Sequence, residues 1–104
     1  MKKILIFAAL SIFIALACGS SASDQDETPD GKTIYEKYCE SCHGNNGELS
    51  LNGAKKFSES TLNVEERILV ITNGRNLMTP FKGILNDAEI EAVANYTMVL
   101  SKNE

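Results

Sequence analysis

The segment KYCESCHGNNGE, residues 37–48, constrains the fold of this chain most, because it holds two of the three cysteines and the one histidine. We predict that the folded domain covers residues 31–104. A domain below about 70–80 residues rarely stabilises itself with side chains alone and usually needs disulfides, a metal or a large bound group. Cys39 and Cys42 lie too close in sequence to join distant parts of the chain. We therefore expect this segment to bind a group that completes the core.

Three kinds of site use cysteines at this spacing. A thioredoxin-like dithiol lies at a helix start within an α/β domain, but no alternation of strand and helix follows here. A structural zinc site needs four ligands, typically with a second pair of cysteines or histidines, and none follows His43. Haem c accounts for the whole cluster, since two cysteines can form thioethers with its vinyl groups and the histidine can bind its iron. We predict one covalent haem c on Cys39 and Cys42 with His43 as an axial ligand; the dithiol and zinc alternatives explain fewer residues.

The second axial ligand of such an iron must come from elsewhere in the chain, and methionine is the candidate. Of the three methionines, Met1 is lost with the export signal described below. Met98 falls inside a helical stretch, where core packing is the more common role. Met78 lies in the loop NGRNLMTPFKG, which is rich in turn-forming residues and has no periodic apolar face. We predict Met78 as the second axial ligand, with Met98 as the alternative.

The N-terminal residues predict export and a lipid anchor. Residues 1–17 combine two lysines with an apolar run, which is typical of an export signal and shorter than the roughly 20 apolar residues of a membrane span. Cys18 follows small residues in ALACGSS, which resembles the lipobox of bacterial lipoproteins with its leucine displaced by one position. We expect a lipid on Cys18, the alternative being ordinary cleavage after Ala17 or Ala22. Residues 18–30 are small, polar and acidic, so we expect a flexible tether.

Periodicity and capping signals in the rest of the chain predict an all-α fold of about three to four helices. The first helix is expected from about Lys32 to Cys39 and leads into the cysteine–histidine cluster. A long loop over residues 44–60, rich in Gly, Asn and Ser, is expected to wrap the haem edge. Two further helices begin with capping boxes. They are predicted from Val64 to about Thr72 behind Asn63 and Glu66, and from Asp87 to about Ser101 behind Asn86 and Glu89.

Together these motifs resemble those of the small mono-haem class I cytochromes c, here of a bacterial lipoprotein type. Residues 39–43 match the family's CxxCH motif. Gly74, Met78 and Phe81 match its G-x-x-x-M-x-x-F loop, and residues 85–90 match the start of its last helix. The resemblance covers nearly the whole predicted domain. It implies the class I cytochrome c fold around one covalently bound haem.

The resemblance also implies a close helix crossing, of Gly31 and Tyr35 on the first helix against Val93 and Tyr96 on the last. One departure concerns His43. Many family members have a proline after the haem motif, near the carbonyl that accepts the ring N–H of the histidine. The corresponding stretch LNGAKKF has no proline. The sequence therefore leaves the accepting backbone carbonyl of this chain unidentified.

Such a protein is expected to be a one-electron carrier and not an enzyme. We expect it to be lipid-anchored on the periplasmic side of a bacterial membrane, and to pass electrons from a respiratory donor complex to a terminal oxidase or reductase. Two alternatives stay open. The first alternative is a haem subunit fixed in a larger oxidoreductase complex. The second is a haem-based enzyme or gas sensor, which applies if Met78 is not a ligand.

The charge distribution bears on the partners. The net charge of −4 argues against a nucleic-acid partner. Between residues 67 and 86 the chain has bases and no acids, and a second acid-free patch lies at Lys55 and Lys56. We predict a basic ring around the haem edge that steers a negatively charged redox partner, the alternative being an ordinary solvated surface. Besides Lys55 and Lys56, the predicted basic ring includes Arg67, Arg75 and Lys82.

Overall fold

The computed structural model describes residues 27–102, in which the chain forms four α-helices and two short 3-10 turns. No strand occurs in this range, where only isolated β-bridges are present. The predicted all-α fold of about three to four helices is thus confirmed. The export signal over residues 1–17, Cys18 and most of the tether lie outside the described residues. The elements are α1 (Gly31–Tyr38), α2 (Glu40–His43), the 3-10 turns Leu51–Gly53 and Phe57–Glu59, α3 (Val64–Asn73) and α4 (Asp87–Leu100).

Both predicted capping boxes are present. The Asn63 side chain accepts from the Glu66 backbone N–H at 2.9 Å, and the Glu66 carboxylate accepts from the Asn63 backbone N–H at 2.9 Å. Asn86 and Glu89 form the same reciprocal pair at the start of α4, with distances of 2.9 and 2.8 Å. Each box satisfies N–H groups that a helix start leaves unpaired. These local signals explain why the starts of α3 and α4 match the prediction.

The first helix differs from the prediction at both ends. It begins at Gly31, because the Asp30 carboxylate accepts from the Lys32 backbone N–H at 3.1 Å and caps it. It ends at Tyr38, and Cys39 then separates it from α2. The cysteine–histidine cluster therefore lies on a short helix of its own.

The predicted crossing of α1 and α4 is confirmed. A β-carbon on Gly31 would overlap with the backbone carbonyl of Ala92, so only glycine allows this approach. The ring centroids of Tyr35 and Tyr96 lie 5.3 Å apart at the same crossing. Tyr35 and Val93 are fully buried there. Among the described residues, no helix has the length and apolar character needed to cross a membrane.

Replacing Gly31 with alanine is expected to lower the free energy of unfolding by about 2 kcal/mol, because the added methyl group overpacks the contact between α1 and α4. Alanine otherwise favours a helix over glycine, so a loss identifies the contact as its cause. Urea denaturation followed by far-UV circular dichroism measures the change. The control is Lys32→Ala at the neighbouring exposed position, with an expected effect within about 0.5 kcal/mol. Equal stabilities of the two variants would contradict a tight crossing.

Candidate functional site

A cavity of about 220 Å³ lies between the cysteine–histidine cluster, the loop after it, α3 and the Met78 loop. All four residues predicted to hold the haem, Cys39, Cys42, His43 and Met78, line this cavity. Met98, the alternative ligand, is not among the lining residues and lies on α4. The structure thus brings together residues that are up to 39 positions apart in sequence, from Cys39 to Met78.

Backbone hydrogen bonds and one tyrosine hold the cluster in place. The N–H groups of Cys42 and His43 donate to the Cys39 carbonyl at 3.2 and 3.0 Å. Gly44 ends α2 with a φ of 79°, a conformation that favours glycine. The buried Tyr35 hydroxyl donates to the Gly44 carbonyl at 2.5 Å. The end of α2 is therefore tied directly to the crossing of α1 and α4.

The acceptor for His43 is the carbonyl of Lys55, 3.3 Å from Nδ1. Because a carbonyl only accepts, this contact favours the hydrogen on Nδ1 and leaves the lone pair on Nε2 for a metal. Phe57 stacks on the imidazole with ring centroids 4.8 Å apart. Desolvation lowers the pKa of His43, and the hydrogen bond to Lys55 partly opposes this shift. Both contacts fix the orientation of a neutral ring, the form that binds metals.

The environment of the cysteines does not suit a reactive dithiol. Burial raises the pKa of the Cys39 thiol to about 11, with a smaller contribution from Cys42. Redox-active cysteines instead have lowered pKa values, because the thiolate is the reactive form.

Within residues 27–102, no three His, Cys, Asp or Glu side chains group closely enough to hold a metal ion by themselves.

The loop that carries Met78 folds back onto α3. Gly74 ends that helix with a φ of 70°, and a β-carbon there would lie 2.5 Å from the Met78 carbonyl. The Met78 N–H donates to the Arg75 carbonyl at 3.0 Å, and the Phe81 N–H donates to the Ile71 carbonyl at 2.9 Å. These bonds close the loop around the half-buried methionine. The thioether is thereby held on the cavity wall.

The prediction that Arg67 belongs to an exposed basic ring is wrong. Arg67 is 5% exposed, whereas Arg75, Lys82 and Lys55 are exposed. The reason is the helical period, which places position 67 on the same face of α3 as the buried Ile71, four residues later. The guanidinium lines the cavity, with its central carbon 5.4 Å from the centroid of the Phe57 ring.

The residues around the cavity fit a haem c. Two thiols, an imidazole and a thioether match the groups that attach this cofactor and bind its iron. Apolar and aromatic side chains such as Leu51, Ile71 and Phe81 provide a surface for the porphyrin. The buried Nη1 of Arg67 has no hydrogen-bond partner among the described residues. A cationic donor of this kind suits a plate that carries carboxylates.

This chain is similar to a family named after a cytochrome oxidase subunit and to proteins named cytochrome c6. Residues 26–96 match the model of the family described as cytochrome C oxidase, cbb3-type, subunit III. A cytochrome c6 from Leptolyngbya boryana is 36% identical over 80 residues, covering 71% of this chain and 91% of that relative. A cytochrome c6 from Nostoc sp. strain PCC 7120 is 32% identical over 104 residues, covering 94% of this chain and 93% of that relative.

The fold is similar to that of a solved cytochrome as well. The cytochrome c6 from the diatom Phaeodactylum tricornutum superposes with a TM-score of 0.61 at 28% identity, covering 69% of this chain and 91% of that chain. The family match, the sequence relatives and the solved structure all indicate a c-type cytochrome. The chain therefore belongs to the small mono-haem class I cytochromes c, which are electron carriers, not enzymes, and hold one haem c covalently.

Proposed function

We propose that this cytochrome is a membrane-tethered carrier that passes single electrons from a respiratory donor complex to a terminal oxidase or reductase on the periplasmic side of a bacterial membrane. The observation that carries the proposed site is that Cys39, Cys42, His43 and Met78 line one cavity. When bound there, haem c supplies one-electron chemistry by cycling its iron between Fe(II) and Fe(III). The role of the protein is to hold that iron and control what reaches it.

Each of these side chains has a proposed role. Cys39 and Cys42 would form the thioethers to the haem. His43, through Nε2, and Met78, through its sulfur, would bind the iron. The imidazole is held by the Lys55 carbonyl and by the stacked Phe57 ring. An imidazole held by these contacts would move little between Fe(II) and Fe(III), which would favour fast electron transfer.

The composition of the cavity favours a carrier over a haem enzyme or a gas sensor. The chain has a single histidine, and His43 is assigned to the iron. No aspartate or glutamate is among the described residues that line the cavity. Histidine and the carboxylates are the commonest general acids and bases in enzymes, and the side chains of other types that can act in this way on the cavity wall include Tyr38 and Lys55.

A fixed subunit of a larger complex is a second candidate function. The observation in its favour is the description of the matching family, which names a subunit of a cbb3-type oxidase. The cytochrome c6 relatives favour the carrier, because this chain covers 91% and 93% of their lengths.

The proposed membrane tether rests on residues outside the described range. A lipid on Cys18 would anchor the mature chain, and residues 19–30 would connect it to α1. Stable anchoring needs more than one acyl chain, which bacterial lipoproteins have. The start of α1 packs against α4 at Gly31, so the tether joins the domain at a well-packed point.

Met78→Ala is expected to abolish the far-red charge-transfer band that a methionine sulfur gives with oxidised haem iron. The variant should also have a lower reduction potential, because methionine ligation raises it. Absorption spectra of the oxidised protein and a potentiometric titration measure both effects. The control is Met98→Ala, which is expected to keep the band. A band that survives in Met78→Ala and disappears in Met98→Ala would reverse the ligand assignment.

Cys18→Ser is expected to prevent completely the incorporation of a labelled fatty acid into the protein. The chemical reason is that the diacylglycerol is attached through the cysteine sulfur, which serine lacks. Labelling in cells and the mass of the mature N-terminus measure the effect. Ser20→Ala, two positions later, is the matched control and should be labelled like the wild type. An unlabelled wild-type protein that begins after residue 17 or 22 would show ordinary cleavage instead.

Reversing the charges of Arg75 and Lys82 to glutamate is expected to slow electron transfer to an anionic partner roughly ten-fold at low salt, because the exposed bases steer the encounter. The difference should shrink as salt is added. Stopped-flow kinetics with an acidic redox protein measures the second-order rate constant.

The control for this experiment is Lys32→Glu with Lys37→Glu, an equal change of charge at exposed positions of α1 outside the cavity lining. Equal rates in both double variants would remove the docking role of Arg75 and Lys82.

A separate measurement distinguishes the carrier from the fixed subunit. In native membranes, an electron-transfer rate that does not depend on added cytochrome, together with co-migration of this chain in one complex, would favour the fixed subunit.

A further inference from the structure

Arg67 is a buried charged residue with no role in the attachment or ligation described above. It lies in the middle of α3 and lines the cavity together with Cys39, His43 and Met78. Only 5% of its surface is exposed. A side chain that is always charged is almost never buried to this degree unless it is paired. The position therefore calls for a partner.

The hydrogen bonds of Arg67 leave one end of the guanidinium free. Its Nε donates to the Leu62 carbonyl at 3.2 Å, and its Nη2 donates to the Ser101 hydroxyl at 2.9 Å. Its Nη1 is buried and has no partner among residues 27–102. Leaving a buried charged donor unpaired is costly, because it has lost the hydrogen bonds that water would give.

The charge of Arg67 is also unbalanced by the protein. In the described part of the chain the ion pair is Lys32 with Glu36, at 3.8 Å on the exposed surface of α1. No carboxylate of these residues lies within ion-pair distance of Arg67. Desolvation lowers its pKa, but arginine remains charged in proteins. A buried cation of this kind needs an anion that the chain does not supply.

We propose that Arg67 binds a propionate carboxylate of the haem through Nη1. The inference rests on the haem site proposed above and adds a binding residue to it. Haem carries two propionates, and a guanidinium matches the geometry of a carboxylate better than any other side chain does. The pairing would balance the buried charge and satisfy the free nitrogen at once.

Three contacts hold the guanidinium ready for this role. The Leu62 carbonyl and the Ser101 hydroxyl fix two of its nitrogens. The Phe57 ring, which also stacks on His43, lies 5.4 Å from its central carbon. Ser101 in turn donates to the Thr97 carbonyl at 3.0 Å. A propionate bound to Arg67 is thereby linked to the last turn of α4.

The test compares the haem-loaded wild type with Arg67→Gln and Arg67→Lys. Low-frequency resonance Raman spectra report the hydrogen bonding of the propionates through their bending modes, and a potentiometric titration reports the charge near the iron. Arg67→Gln is expected to shift a propionate mode and to lower the reduction potential, because a nearby cation favours the reduced haem. Arg67→Lys should recover most of the potential and still alter the mode, since lysine is a point charge without the planar fork.

Arg75→Gln is the matched control, because it removes the same charge from an exposed arginine that also lines the cavity. It is expected to leave the propionate modes unchanged. A mode that moves in Arg75→Gln and not in Arg67→Gln would overturn the proposal in favour of Arg75. A crystal structure with only water on Nη1 would overturn it as well.

Two further measurements separate this inference from the proposed haem site. Haem retention on a denaturing gel and the methionine-to-iron band test attachment and ligation in every sample. If both are present and the propionate modes of the Arg67 variants equal those of the wild type, only the role of Arg67 is wrong.

If Arg67→Gln does not fold, Ser101→Ala replaces it, since loss of the Nη2 contact should shift the same propionate mode by a smaller amount. Unchanged modes in Ser101→Ala and Arg67→Lys together would overturn the proposal.

Discussion

The close contact between α1 and α4 determines where the rest of the molecule lies. Gly31 allows α1 to reach the Ala92 backbone of α4. Tyr35, one helical turn after Gly31, packs against Tyr96 of α4. From this fixed point the Tyr35 hydroxyl donates to the carbonyl of Gly44, at the end of α2. Helix α2 has four residues, far fewer than the roughly 12–15 that an isolated helix needs. The cysteine–histidine cluster is therefore positioned by the core of the domain and not by its own helix.

The features that the residues alone predicted correctly depend on local signals, whereas the crossing of α1 and α4 was predicted from the family resemblance, and the features that were missed depend on tertiary contacts. Capping boxes and the cysteine–histidine cluster involve residues at most four positions apart, so their patterns are visible in the chain. The acceptor for His43 is a main-chain carbonyl at Lys55, and any residue type provides such a group. Arg67 was assigned to the surface because charged residues usually lie there. The helical period already places position 67 on the face of Ile71, but the sequence does not show that a cavity lies beside that face.

The largest fully buried side chains of the described domain lie on the two crossing helices, and part of the cavity wall is only half-buried. The largest fully buried side chains, Tyr35, Ile90 and Val93, belong to α1 and α4. Around the cavity, Phe57 and Met78 are half-buried by protein atoms. Burial of apolar area stabilises a fold by about 25 cal/mol per Å², so a porphyrin against these side chains adds directly to stability. Haem attachment is therefore expected to stabilise the folded domain.

A buried cation is consistent with an electron carrier because of how charge affects the iron. In a medium of low dielectric constant, a fixed positive charge acts strongly on the equilibrium between Fe(II) and Fe(III). Arg67 lies against Phe57, whose ring stacks on His43. If that charge is balanced by a propionate, the haem carboxylate is neutralised inside the protein, where water screens it least. The sequence position of one arginine on α3 would then influence the reduction potential, without any contact between that arginine and the iron.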